Sequence, residues 1–396
     1  MKYNKGQETV IKNAVNCVKK GSRQVYQFSG PPGSGKTEVI KEIIRQLNIP
    51  LHRTACMAYT GQAASVMRTR SLYYAKTIHS TLYHLAEVEI KDEHGNPIID
   101  TVFNKPVVKL RFVPKDLNDV DLMIIDEGST VPSSMKYEIE RRGIPIIVTG
   151  DINQLPPVKD TPAYLIDGEI DYLTEIMRQD ENSAIVYFSQ RLLKGLPISC
   201  GLYGNVLVIE EKDLTPDMIK RSNILLCGTN RTRDKYNKYI REDILGIDAD
   251  LPVYGERVIC RKNNWNLEID GISLTNGLTG SVVKPATVED YDGNRFFIDF
   301  KPDLVEYPFT YLGCDYKYFK SDFENRQFLK SSPYSIGEKF ELAYASTTHL
   351  SQGSQYPCGI YIQEYLNKDI NNRLNYTAAT RFVNFLIYVI PSKKYF

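Results

Sequence analysis

One eight-residue segment constrains this chain more than any other. Residues 30–37 read GPPGSGKT; they follow the largely apolar segment QVYQFS and open a helical pattern that ends near Leu47. Glycines let the backbone wrap around phosphates so that N–H groups point inward, while the lysine reaches the terminal phosphates and the threonine hydroxyl binds Mg²⁺. The segment therefore predicts a nucleoside-triphosphate site, whose binding residues are Gly30, Gly33, Ser34, Gly35, Lys36 and Thr37.

Apolar runs elsewhere in the chain are typical of parallel strands that are covered on both faces. They lie at 24–30, 52–57, 121–126, 144–149, 223–228, 358–363 and 385–390. Segments with helical spacing of apolar residues separate them, which predicts an α/β fold. Two stretches break the alternation. Residues 87–112 alternate apolar and polar side chains about a turn and predict a β-hairpin, whereas residues 251–335 predict a small all-β module.

Composition excludes several classes of protein. A chain of 396 residues is long for a single domain, and its net charge of +1 argues against a strongly basic polyelectrolyte binder, although not against a locally basic groove. The seven cysteines form no CxxC pair, so we expect neither a disulfide framework nor a zinc ribbon, and a reducing, cytoplasmic compartment. No apolar stretch approaches the ~18 residues of a membrane-spanning helix, so no membrane partner is expected.

Two carboxylates end the apolar run at 121–126. Asp126 suits the coordination shell of Mg²⁺, which the hydroxyl of Thr37 would share. Glu127 follows it directly and can orient or deprotonate an attacking water molecule. Behind a phosphate-binding loop, this pair predicts hydrolysis of the nucleotide.

A second polar segment follows the next apolar run. Residues 150–158 read GDINQLPPV, and we expect Asp151 and Gln154 to emerge at the same edge of the sheet as Asp126. The carboxamide of Gln154 can sense the terminal phosphate and couple its loss to movement.

The order of these and later motifs resembles that of superfamily 1 helicases, most closely the 5′→3′ branch with RecD-like and small phage Dda-like enzymes. The resemblance covers most of the chain and rests on Gln7, YTGQAA (59–64), TIHSTL (77–82), GPPGSGKT, IIDEGS (124–129), GDINQLPPV, LTEIMRQ (173–179), ASTTHLSQGSQ (345–355) and NYTAATR (375–381). It implies that Gln7 reads the adenine and that Arg178 and Arg381 contact the γ-phosphate. It also implies nucleotide contacts for Gln352 and Gly353.

The same resemblance implies an architecture of two RecA-like P-loop domains with two inserts. We expect the ATP-binding domain 1A at 1–86 and 120–178, a 1B pin hairpin at 87–119, domain 2A at 179–250 and 336–396, and an SH3-like 2B barrel at 251–335. The expected cofactors are ATP and Mg²⁺, and the expected partners of a monomer are single-stranded DNA and its junctions with duplex. The residues expected to contact the strand are Thr60, His79, Phe103, Thr347 and Ser351, with Phe112 as a second candidate in the pin.

Some positions depart from the family pattern, and other functions remain open. Tyr59, Leu350 and Gln355 differ from the usual residues, and Gln355 stands where a glutamate is common. The expected function is an ATP-dependent helicase that moves 5′→3′ on single-stranded DNA and unwinds duplex. The alternatives are an RNA helicase, a nucleotide-switched strand-binding protein that does not unwind, and a P-loop nucleotide kinase. The length and the second α/β unit disfavour the kinase.

Overall fold

The phosphate-binding segment joins a buried strand to a helix in the first of two α/β units. The computed structural model describes residues 3–70, 72, 74–89, 94–100, 105–106, 108–158, 160–166, 168–177, 183–270, 272–288, 294–303, 305–330 and 337–392. In this part of the chain no helix is long and apolar enough to cross a lipid bilayer.

The first unit is built on a parallel six-stranded sheet. Its elements, including those of a hairpin inserted in it, are α1 Lys5–Lys20, β1 Val25–Ser29, α2 Lys36–Leu47, β2 Thr54–Ala58, α3 Gly61–Thr69, β3 Lys76–Thr77, α4 Ile78–Leu82, β4 Tyr83–Glu89, β5 Ile99–Asp100, β6 Lys105–Pro106, β7 Val108–Pro114, β8 Leu122–Asp126, α5 Lys136–Glu140, β9 Ile146–Gly150 and β10 Ile170–Tyr172. The strand order is β10-β1-β9-β8-β2-β3, and every neighbouring pair is parallel. Apolar residues pack on both faces, which accounts for the continuous apolar runs.

The inserted hairpin starts earlier than the sequence pattern indicated. β4 pairs with β7 in antiparallel register along its whole length, beginning at Tyr83 rather than at residue 87. The reason is that α4 ends at Leu82 and the backbone of Tyr83 is already extended, with φ −134°, so the strand follows the helix without a loop. Phe103, which we expected to contact the strand, lies outside the described residues.

The second unit repeats the α/β plan and also carries an insert. Its elements are α6 Ser183–Leu193, β11 Gly201–Tyr203, β12 Val206–Glu210, α7 Pro216–Lys220, β13 Leu225–Cys227, α8 Asn230–Tyr239, β14 Arg257–Cys260, β15 Asn264–Ile269, β16 Ile272–Leu274, β17 Thr279–Thr287, β18 Arg295–Pro302, β19 Phe309–Asp315, α9 Tyr316–Lys320, α10 Phe323–Lys330, β20 Phe340–Leu342, β21 Ala345–Thr347, β22 Tyr356–Ile362, α11 Lys368–Ala379 and β23 Phe382–Ile390. Its sheet has the order β11-β12-β23-β22-β13-β21, in which only the edge strand β11 is antiparallel. The α/β fold predicted from the sequence is confirmed.

The insert of the second unit is an antiparallel five-stranded sheet with its own core. The strand order is β19-β18-β17-β14-β20, and apolar side chains such as Phe296, Phe300 and Phe340 fill its interior. The sheet extends past the expected boundary at residue 335, because β20 pairs with β14 and so belongs to this module. β15 and β16 form a separate two-stranded antiparallel ribbon.

Candidate active site

The phosphate-binding loop lies between β1 and α2, where its backbone must turn tightly. Gly35 is the N-cap of α2 and has φ 82°, a conformation that favours glycine, and a Cβ there would lie 2.5 Å from Nε2 of Gln7. The ammonium of Lys36 donates hydrogen bonds to the carbonyl oxygens of Gly30 at 2.7 Å and Pro31 at 3.2 Å. These are bonds that a phosphate oxygen can replace, because the lysine stays within the loop that would cradle the phosphates.

Gln7 braces the loop from behind. It forms a reciprocal capping box with Asn4 at the start of α1, which fixes its side chain. Its Nε2 then donates to the carbonyl oxygen of Ser34 at 3.1 Å. Gln7, Gly30 and Ser34 do not line the cavity in front of the loop, whereas Gly33, Gly35, Lys36 and Thr37 do. The structure therefore places Gln7 against the loop, and its expected contact with adenine stays a prediction.

The two predicted carboxylates lie where β8 ends. Burial and the adjacent charge of Glu127 raise the pKa of Asp126, and the positive charges of Lys36 and Arg70 oppose that rise. Glu127 has a left-handed backbone with φ 52°, and its N–H donates to Oδ1 of Asp126 at 2.9 Å. Among the described residues its Oε2 is buried without a hydrogen-bond partner. A strained residue with an unpaired buried oxygen is typical of a functional carboxylate.

A cavity of about 580 Å³ separates the two α/β units in front of these residues. It is lined from both sides, and its lining includes Gly33, Gly35, Lys36, Thr37, Arg70, Asp126, Glu127, Gln154, Met177, Gly353, Gln355 and Arg381. Gln154 is 3% exposed, and no partner within the described ranges bonds its buried Oε1. Seven predicted nucleotide or catalytic residues of the first unit thus face two of the second, Gly353 and Arg381, across one cleft.

The second unit supplies one buried cation to this cavity. Arg381 is 3% exposed, and its guanidinium donates to the carbonyl oxygens of Thr377 at 3.2 Å and Ser354 at 3.4 Å. These neutral acceptors fix its direction without neutralising its charge. Arg178, the other arginine expected at the γ-phosphate, lies outside the described residues.

Hydrogen bonds also join the two units outside the cavity. Tyr376 donates to Oδ2 of Asp151 at 2.5 Å, and burial raises the pKa of that carboxyl group. The N–H of Leu155 donates to Oγ1 of Thr377 at 3.0 Å, and Nε2 of Gln352 donates to the carbonyl oxygen of Leu155 at 2.7 Å. Gln352, an expected nucleotide contact, therefore touches the 150–158 segment of the first unit and does not line the cavity.

The hydroxyl groups expected at a nucleic-acid strand already have local partners. Thr60 is the N-cap of α3 and accepts from the N–H of Ala63 at 3.2 Å. The Thr347 hydroxyl accepts from the N–H of Leu350 at 3.4 Å, and Ser351 donates to the carbonyl oxygen of Thr348 at 2.9 Å. Both residues are buried.

His79 lies in an aromatic cluster that sequence reasoning found only in part. Its ring centroid is 6.1 Å from that of Tyr59, 6.5 Å from Tyr83, 6.0 Å from Phe112 and 6.1 Å from Trp265, on which it stacks at 29°. Burial lowers the pKa of His79, which favours the neutral ring. Trp265, the only tryptophan of the chain, comes from the β15–β16 ribbon of the insert in the second unit. Trp265 reaches His79 through packing between segments that are far apart in the sequence, and no sequence motif indicated this contact.

Comparison with known proteins places the chain in a family. The sequence profile of a family described as an AAA domain matches residues 2–206, just over half of the 396 residues. The chain belongs to this AAA-domain family. No curated protein is similar enough in sequence to match it.

Solved structures extend the likeness of this AAA-domain chain beyond the matched residues. The Pif1 helicase from Candida albicans is 17% identical, with a TM-score of 0.51, and the match covers 100% of this chain and 98% of that one. Bacteroides Pif1 in complex with ADP-AlF3 and single-stranded DNA is 18% identical, with a TM-score of 0.54 and coverage of 98% and 92%. A structure of two coordinating Pif1 helicases at forked double-stranded DNA is 19% identical, with a TM-score of 0.56 and coverage of 98% and 92%. The chain has the fold of these Pif1 helicases, and the predicted resemblance to helicases is thus confirmed at the level of the fold.

Proposed function

We propose that this chain is an ATP-dependent DNA helicase that moves 5′→3′ along single-stranded DNA and unwinds duplex. One observation carries the proposal. The cavity between the units brings the phosphate-binding loop and the carboxylates of the first unit together with a buried guanidinium of the second. A site divided in this way makes the apposition of the two units depend on the bound nucleotide.

Each side chain has a defined part in the proposed hydrolysis. Lys36 exchanges its carbonyl partners for β- and γ-phosphate oxygens. Glu127 uses its unpaired oxygen to orient and deprotonate the attacking water. Arg381 stabilises the charge that spreads over the transferred phosphoryl group, since its own partners are neutral. Gln154 presents its carboxamide to the same region of the cavity.

The donor set fits Mg²⁺ bound with the nucleotide. Thr37 and Asp126 both line the cavity and offer the hard oxygen ligands that this ion prefers. No cluster of three or more His, Cys, Asp or Glu residues within the described ranges forms a closed metal site. That suits an ion that completes its shell with water and phosphate oxygens. When bound, Mg²⁺ would neutralise phosphate charge.

We propose that the strand crosses the aromatic cluster formed by Tyr59, His79, Tyr83, Phe112 and Trp265. Phe112 is 49% exposed and so has a free face for stacking on a base. Thr60 and Thr347 accept hydrogen bonds through their oxygens and so keep O–H groups that can donate to a phosphate, whereas Ser351 already uses its own. Bacteroides Pif1, which shares the fold, has been solved with single-stranded DNA.

The decisive experiment combines hydrolysis with unwinding. We expect single-stranded DNA to stimulate ATP hydrolysis by the wild-type protein, and Lys36→Ala to abolish that stimulation while it keeps the thermal denaturation midpoint. Duplexes with a single 5′ or a single 3′ tail test direction, and only the 5′-tailed substrate should be unwound. Unwinding from the 3′ tail alone would refute the polarity. Equal stimulation by matched RNA would favour the RNA helicase alternative, because the 2′-hydroxyl alters strand contacts.

A further inference from the structure

An arginine that no motif contains lines the cavity at the junction of the two units. Arg70 directly follows α3 of the first unit, and Gln355 directly precedes β22 of the second. The guanidinium NH2 of Arg70 donates to Oε1 of Gln355 at 2.6 Å, and both residues line the cavity. This hydrogen bond joins two residues that line the cavity, whereas the bonding partners Asp151 and Leu155 of the 150–158 segment do not line it.

The electrostatic setting of Arg70 differs from that of other arginines in the first unit. Arg45 pairs with Glu42 at 2.6 Å, and Arg53 pairs with Asp121 at 2.5 Å. Within the described part of the chain no carboxylate lies within ion-pairing distance of Arg70, whose partner is a neutral amide. A guanidinium has five N–H donors, so an arrangement with one neutral acceptor leaves capacity for an anionic ligand.

A phosphate chain is the anion that best fits this cavity, because the phosphate-binding loop lines it. Arg70 shares the cavity with Lys36 and Arg381, and its charge reaches far enough to act on the carboxyl group of Asp126. Planar guanidinium groups bind phosphate oxygens through two parallel hydrogen bonds, with charge assistance that an amide acceptor does not supply. A nucleotide would therefore compete with Gln355 for Arg70.

We propose that Arg70 binds a phosphate oxygen of the nucleotide and that Gln355 holds Arg70 across the cleft when the site is empty. The proposal rests on the nucleotide site of the proposed function and adds to it a binding residue and a positioning residue. Nucleotide binding exchanges a hydrogen bond between the two units for one to the phosphate chain. The neutral amide matters because a carboxylate at residue 355 would hold the guanidinium in an ion pair.

Equilibrium binding of ATP with Mg²⁺, without a strand, tests this exchange. Arg70→Ala should weaken binding roughly tenfold or more, the factor expected from one hydrogen bond to a charged group. Arg45→Ala removes a surface arginine of α2 and serves as the matched control with unchanged affinity. Gln355→Glu should weaken binding when Arg70 is present and have little effect in the Arg70→Ala background. Arg70→Lys keeps the positive charge but lacks the planar guanidinium, so its affinity for ATP should lie between those of the wild type and Arg70→Ala.

The outcomes separate this inference from the function on which it rests. If Arg70→Ala and Arg70→Lys are folded, as their thermal denaturation would show, and bind ATP like the wild type, Arg70 is no phosphate ligand. If Gln355→Glu weakens binding equally in both backgrounds, Gln355 does not act through Arg70. If the wild-type protein itself fails to bind ATP, both the proposed function and this inference are refuted. Measuring the wild type alone recognises that outcome.

Discussion

Gly353 is the position at which a single methyl group should drive the two units apart. It lies on the segment between β21 and β22 and faces α3 of the first unit. Its backbone has φ 81°, and a Cβ added there would lie 2.6 Å from Cβ and 2.9 Å from Cα of Ala63. Backbone atoms of a helix cannot rotate away as a flexible side chain can. Gly353→Ala therefore combines backbone strain with a wedge in the cleft.

The size of the effect follows from these distances. Carbon atoms pack at about 3.5–4.0 Å, so a contact of 2.6 Å requires the segment and α3 to separate by about 1 Å. A misplacement of about 1 Å can cost roughly 100-fold in rate, and Gly353 lines the same cavity as Lys36 and Arg381. We expect kcat/KM for ATP to fall by about that factor, while the left-handed backbone alone costs about 1–2 kcal/mol of unfolding free energy.

A second glycine serves as a control that separates the steric effect of the added methyl group from the backbone strain. Gly255 has φ 84°, nearly that of Gly353, but a Cβ built on it meets no atom within 4 Å. Gly255→Ala should therefore lose a similar free energy of unfolding in urea denaturation and keep its ATP turnover. Steady-state hydrolysis of both variants decides the matter: if Gly353→Ala turns over ATP as fast as Gly255→Ala, the steric reasoning is refuted.

Two further predictions concern buried polar groups. Tyr376→Phe deprives the Asp151 carboxylate of a hydrogen-bond donor and should lower the free energy of unfolding by about 1.5–3 kcal/mol. The control Tyr388→Phe removes a hydroxyl without a partner in the described residues and should change that free energy little. Equal losses of the two variants in urea denaturation would contradict this reasoning. Burial would raise the pKa of Glu341, but positive charges, foremost that of Arg261, prevail and lower it to about 2, below its ordinary value of 4.5. The contribution of the ionised Glu341 side chain to the free energy of unfolding is thus complete above pH 4.5 and is lost as the pH falls toward 2. The difference in unfolding free energy between the wild type and Glu341→Gln should therefore become smaller over that range; a constant difference would contradict this.

Elements whose signal is local could be predicted from the sequence. The apolar run at 121–126 coincides with β8 because a strand buried on both faces needs apolar residues at every position. The end of the all-β module could not be placed in the same way. Residues 340–342 join that module only because β20 pairs with β14, and the partner is distant in the chain. Strand pairing is a tertiary property, so a boundary that depends on it leaves little trace in local composition.

The same distinction applies to the site. The place of Lys36 and Asp126 at the cavity could be predicted, because a phosphate-binding loop and a carboxylate at a strand end are recognisable within a few residues. Arg70 and Trp265 could not, because each reaches its place through packing between elements far apart in sequence. The motif position of Gln352 indicates a nucleotide contact, which stays a prediction; its side chain bonds to the carbonyl oxygen of Leu155. The motif thus identified a segment at the cleft but not the partner of this side chain.

The 150–158 segment gives the two halves of the cleft a direct mechanical connection. Gln154 faces the cavity, while the backbone of its neighbour Leu155 bonds to Thr377 and Gln352 of the second unit. The planar peptide group between the two residues carries the N–H of Leu155, so a movement of the Gln154 backbone would also move this donor. The carbonyl oxygen of Thr377 also accepts from Arg381, the cation of the second unit in the cavity. If a phosphate binds at Gln154 as proposed, its gain or loss is thus linked to Arg381 through one residue on each side of the cleft, Leu155 and Thr377.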